Sequence, residues 1–107
     1  MINITRMKSI LKEIYPLIIK GEDHMWAPYI RRWYTELEPF PEETIRQMIE
    51  CSRGRDSLAD THITQDSISL KPEDKQFRAL HNELYQLCMD ALPDISRRKD
   101  KPTIDPS

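Results

Sequence analysis

Glycine is nearly missing from this chain of 107 residues, with Gly21 and Gly54 as its only two. That scarcity removes whole classes of function. A Walker phosphate loop requires two glycines spaced by four residues and followed by Lys and Ser or Thr, and a dinucleotide fold requires three glycines after a strand. Neither pattern can be assembled from the run "RGRDS" or from anything else here. Cysteine is as sparse: Cys51 and Cys88 stand far apart on predicted helices, outside any Cys-x-x-Cys pair, so buried free thiols are expected in place of a zinc or redox site. Long apolar runs are missing too. The longest, such as Leu17-Ile18-Ile19, fall far short of the roughly 20 residues that span a bilayer. Lys8, Lys12 and Glu13 interrupt what a secretory leader needs as an unbroken apolar segment, and the expected location is cytoplasmic.

The titratable residues show no catalytic or metal-binding spacing. His24, His62 and His81 include no His-x-x-x-His or Glu-x-x-His pair, and His81 falls on an apolar helix face, where a hydrogen-bonded core residue is the usual outcome. Asp56, Asp60 and Asp66 lack the alternate spacing and closing Glu of a calcium loop. No motif accompanies a Ser or Cys nucleophile. The expectation is a protein without metal, cofactor or enzymatic activity.

What the chain does have is charge and helical rhythm. Charged residues are 32% and hydrophobic residues 38%, which describes one domain with a lean core. The net charge of −2 is unevenly placed. Residues 1–20 carry four bases (Arg6, Lys8, Lys12, Lys20) against one acid, whereas residues 21–50 carry seven acids against three bases. Between Arg32 and Arg46 there is no Lys or Arg, only the acids Glu36, Glu38, Glu42 and Glu43 of "ELEPFPEE". Exposure at a proline-rich turn does not raise a carboxyl pKa as burial would, so an acidic partner surface is a better functional reading than an active site. The plain structural alternative is a solvated corner.

Four helices are predicted. Met7, Ile10, Leu11, Ile14, Leu17 and Ile18 form one stripe of a first helix over residues 2–20, with a kink or short break near Lys12–Tyr15 imposed by Pro16 and a left-handed stop at Gly21. A second helix begins with Asp23 as cap and puts Trp26, Tyr29, Ile30, Trp33 and Leu37 on one face as the aromatic centre of the core. Pro41 opens a third, with Glu42 and Glu43 in its first turn, Ile45, Met48, Ile49 and Cys51 on its buried edge, and Gly54 at its end. "TQDSISL" is an irregular crossover or a short extended segment. Pro72 restarts a fourth helix, whose stripe Phe77, Leu80, His81, Leu84, Leu87, Cys88 and Ala91 ends at Leu92 before Pro93. The predicted fold class is all-α, an irregular four-helix bundle with a long crossover loop between helices 3 and 4. Residues 1–92 form the helical domain, and 93–107 form a charged, proline-rich, flexible tail.

The corner "GRDSLAD", followed by His62 and Ile63 and preceded by "GEDHMWAPYIRRWYTEL", resembles a family of small helical bacterial proteins. Their shared features are a Trp-Ala pair opening an aromatic helix, here Trp26 and Ala27, and a Gly-x-x-Ser-Leu-x-Asp corner, here Gly54, Ser57, Leu58 and Asp60. The likeness covers roughly residues 8–92, with Asp56 standing where a second glycine belongs. Such proteins resemble immunity proteins, cytoplasmic antidotes encoded beside polymorphic or contact-dependent growth inhibition toxins. The resemblance implies a cognate protein toxin as partner, with a nuclease domain as the expected kind. In the corner, Ser57 or Asp60 would accept backbone hydrogen bonds, and Leu58 with Ile63 would pin it to the core. The partner surface is then Tyr34, Glu36, Glu38, Glu42 and Glu43, with Asp56, Asp60 and Asp66 as a second patch. The competing reading is a helical nucleic-acid-binding regulator using Arg6, Lys8 and Lys12 with Arg97-Arg98-Lys99, against which the acidic balance argues.

Overall fold

The structure, a computed structural model, describes residues 2–54 and 57–103, with side chains described through Ile95. The chain is mostly helical. Its elements are α1 (Ile4–Lys20), α2 (Ala27–Glu36), α3 (Pro41–Cys51), a 3-10 turn (Leu58–Asp60), β1 (Thr64–Gln65), β2 (Ile68–Ser69) and α4 (Lys71–Thr103). Helix α1 packs against both α2 and α4, and α3 packs on α4.

Helix α1 starts where Asn3 Oδ1 accepts the Arg6 N–H at 3.1 Å. Its stripe of Met7, Ile10, Leu11, Ile14, Leu17 and Ile18 is buried. Pro16 lies inside the helix without interrupting it, so the expected break does not occur. Gly21 does not take the left-handed conformation either. Its φ is −79°, and the chain leaves extended so that Glu22 N–H reaches Thr64 O at 2.9 Å. The reason for a small residue is close approach: a Cβ on Gly21 would sit 3.4 Å from Ile63 Cγ2 and from Thr64 N.

Helix α2 begins at Ala27 with Pro28 in its first turn. Asp23 does not cap it, because Asp23 Oδ1 accepts from Met25 N–H at 3.0 Å in the preceding turn. Trp26, Ala27, Ile30, Trp33 and Leu37 are buried, and Trp33 Nε1 donates to Gln47 Oε1 at 2.7 Å, which satisfies its polar edge. Tyr29 departs from expectation and faces outward, 40% exposed, with its ring 5.1 Å from that of Trp26. Helix α3 buries Thr44, Ile45, Met48 and Ile49 and ends at Cys51. Gly54 therefore lies beyond the helix, and its φ of +85° turns the chain into the crossover.

The crossover is not structureless. Thr64 pairs with Ser69 and Gln65 with Ile68 in a small antiparallel hairpin. Its turn residues Asp66 and Ser67 both have positive φ, 51° and 64°, as a tight two-residue hairpin of type I′ demands. Helix α4 then runs 33 residues without stopping at Leu92. Pro93 removes one donor and crowds the carbonyl four residues back. Burial of Ile95, four residues beyond Ala91 and seven beyond Cys88, extends the apolar stripe past it. The helix boundary expected at 92 is thus corrected to Thr103, while residues 104–107 of the expected tail lie outside the described residues.

Candidate partner-binding surface

The acidic corner is built by local chain stiffness. Leu37 is fully buried at the end of α2, and Pro39 and Pro41 restrict the backbone on either side of Phe40. Phe40 N–H donates to Glu36 O at 2.8 Å, while Phe40 O accepts from Thr44 N–H at 3.1 Å and from Thr44 Oγ1 at 2.7 Å. With its backbone held on both sides, the Phe40 side chain points away from the core and is 56% exposed. Sequence reasoning missed this residue. Its signal was an aromatic enclosed between two prolines, where no helical stripe can claim it.

Two carboxylates lie beside that ring. Glu42 and Glu43 occupy the first turn of α3, and with Pro39, Phe40 and Pro41 they line a shallow cavity of about 310 Å³. Glu36 pairs with Arg32 at 3.4 Å along α2. Glu38 accepts from Lys8 Nζ at 2.7 Å, and this hydrogen bond holds the exposed Glu38 carboxyl below its ordinary pKa. Tyr34 belongs to a neighbouring groove between α1 and α2, with Lys8 Nζ 4.7 Å from its ring centroid.

The second predicted patch lies elsewhere. Asp66 sits in the hairpin turn, next to Ser67, whose N–H donates to Glu22 at 2.8 Å, and Gln65 Nε2 donates to Lys20 O at 3.3 Å. The hairpin therefore sits at the C-terminal end of α1. Lys8, the partner of Glu38, is about 18 Å away along the same helix at 1.5 Å per residue. Asp60 lies in the 3-10 turn and borders a cleft of about 590 Å³ shared with Asp23, Met25, Trp26 and His62. Asp56 lies outside the described residues. The acids thus fall into two groups at opposite ends of α1.

The Ser-Leu-x-Asp corner is pinned to the core by its apolar residues and tied to α4 by a carboxylate. Leu58 and Ile63 are buried, as expected. Ser57 O accepts from Asp60 N–H at 3.0 Å, closing the 3-10 turn, while the buried Ser57 Oγ has no partner among the described residues. Asp74 of α4 carries the anchoring. Its Oδ1 accepts from Ile63 N–H at 3.0 Å and its Oδ2 from Arg78 Nε at 3.2 Å. Burial works against the Asp74 anion, but these two donors outweigh it and hold the carboxyl below its usual range.

The histidines are dispersed. His24 Nε2 lies 2.9 Å from Ile19 O and 2.7 Å from Gly21 O, where it can donate to the end of α1. His62 contacts Arg78. His81 is buried beside Ser52, with Nε2 to Oγ at 2.9 Å, and burial lowers its pKa. Among the described residues no three His, Cys, Asp or Glu side chains converge to hold a metal ion, and no helix is long and apolar enough to cross a membrane. The chain matches no protein-family model, no curated protein and no solved structure.

Proposed function

We propose that this chain, an irregular four-helix bundle with a long crossover, is a cytoplasmic immunity protein that binds a cognate bacterial toxin domain and blocks it by occlusion, with no reaction of its own. The toxin is a nuclease. The supporting observation is the corner at residues 36–43, where exposed Phe40 shares a shallow cavity with Glu42 and Glu43, while Glu36 and Glu38 nearby are paired with Arg32 and Lys8. An aromatic anchor beside two carboxylates has the composition of a binding hot spot for a basic surface, and nuclease sites are basic because they hold phosphates. The resemblance of the corner motif to immunity proteins points the same way.

The nucleic-acid reading has less to draw on. Arg6 is engaged by Glu83 through two contacts at 2.6 and 2.7 Å, and Lys8 by Glu38, so two of the three bases in the α1 stripe are neutralised internally.

The experiment is co-expression with the toxin domain encoded by the neighbouring gene. The wild-type chain should protect the cell and copurify with the domain, whereas Phe40→Ala combined with Glu42→Lys and Glu43→Lys should do neither. A neighbouring product whose toxicity the wild-type chain leaves untouched overturns the proposal.

A further inference from the structure

The groove between α1 and α2 has a character opposite to that of the acidic corner. It encloses about 300 Å³, near the lower end of the range of roughly 300–1,000 Å³ typical of small-molecule sites. Leu11 and Ile30 form its floor, and both belong to the buried core. Tyr15 and Tyr34 form its walls, with Lys12 and Arg31 at the edge. A second cavity of about 360 Å³ adjoins it and shares Lys12 and Tyr34.

Two features make this more than a gap between helices. The Tyr34 wall is held in place: Lys8 lies over its ring, and Glu38 fixes Lys8. The cations at the edge are available. Arg6, Lys8, Lys20, Arg32 and Arg78 all engage acids, whereas Lys12 and Arg31 make no ion pair or side-chain hydrogen bond among the described residues. In a chain of net negative charge, two cations without an ion pair among the described residues flank one apolar floor.

We infer that this groove binds a small organic anion whose one- or two-ring or short aliphatic body lies on Leu11 and Ile30 and whose carboxylate, sulfonate or phosphate head meets Lys12 and Arg31. The apolar floor supplies most of the affinity by removing the ligand body from water, and the two cations select for the charged head. Two tyrosine walls suit an aromatic body best. The groove shares Tyr34 and, through Lys8, Glu38 with the expected partner surface, but its test does not rest on the immunity reading.

The test is a fluorescence titration of the full chain with two probes. One is 8-anilinonaphthalene-1-sulfonate. The other is N-phenyl-1-naphthylamine, the same ring system without the anionic group. The sulfonate should bind saturably at one site, about fivefold to tenfold tighter than the neutral amine, the advantage that two exposed charge contacts provide. The double variant Lys12→Gln, Arg31→Gln should bring the sulfonate down to the amine's affinity and leave the amine unchanged. Thr35→Trp, which fills the groove mouth, should weaken both. Circular dichroism and an unchanged urea midpoint establish that each variant is folded; should the double variant lose helicity, Arg31→Gln alone carries the comparison with about half the logarithmic effect. Failure of the wild-type chain to bind the sulfonate saturably, equal affinity for the two probes, or a folded double variant that keeps the sulfonate preference overturns the proposal.

Discussion

The α2–α3 corner and the crossover between α3 and α4 sit toward opposite ends of α1 and are made by different physics. The corner is shaped by neighbours in sequence: two prolines, the buried Leu37 and hydrogen bonds spanning four residues between Glu36, Phe40 and Thr44. The crossover is shaped by distant residues, through Glu22 N–H to Thr64 O, Ser67 N–H to Glu22 and Gln65 Nε2 to Lys20 O, and is tied to the start of α4 by Ile63 N–H to Asp74. Lys20 and Glu73 pair beside it and join α1 to α4. A region built locally can expose its side chains to a partner and tolerate their change. A region held by long-range contacts has side chains that serve the fold.

That contrast is open to direct attack by substitution. The largest effect belongs to the crossover core, where Leu58→Ala should destabilise the chain by about 2–5 kcal/mol through lost burial and a cavity, read as a lower urea midpoint with an unchanged m-value. Asp74→Ala comes next. It leaves the Ile63 N–H without its acceptor and should remove about 1–3 kcal/mol at neutral pH. A loss below about 0.5 kcal/mol would mean that the crossover does not depend on this anchor.

Acid should find the same region. The folded pKa of Asp74 is depressed, so its stabilisation is present above the unfolded value of about 3.9 and is lost as pH falls through the folded one. His81 is depressed by burial, so the unfolded chain takes up its proton first and stability begins to fall below about pH 6.5. Urea midpoints measured from pH 8 to pH 3 should therefore decline in two stages, with His81→Asn flattening the upper stage and Asp74→Asn the lower. A smaller effect is expected at Gly54→Ala, about 1 kcal/mol, from backbone strain at φ +85° with no steric neighbour to add to it. The smallest is at the corner. Phe40→Ala should shift stability by less than about 0.5 kcal/mol while abolishing partner capture, and a large drop in its urea midpoint would erase the distinction between the two regions.

The sequence was most legible where structure is local. The α1 stripe, the start of α3 at Pro41 and the buried tryptophans follow from apolar period and proline position, because helical geometry repeats every few residues. Tyr29 was misplaced because it lies at the edge of the α2 stripe, where neighbouring helices decide burial. The hairpin was only half visible, since Asp66-Ser67 is a weaker turn signal than Asn-Gly. Pro93 read as a stop because its local penalty is plain, whereas the burial of Ile95 that outweighs it depends on packing. Seven acids were seen at the corner and crossover as candidates, but Phe40, which projects beside the corner group, was not.

Composition and period alone determined a mostly helical domain with a lean core and an acidic turn between α2 and α3, because burial at helical spacing and proline stiffness are properties of adjacent residues. Only the tertiary structure decided which charges remain available. Arg6 and Lys8 are neutralised by Glu83 and Glu38, from residues far along the chain, while Lys12 and Arg31 line one groove with no ion pair among the described residues. Pairing between distant side chains leaves no trace in local sequence, since it is set by where the packed helices bring them.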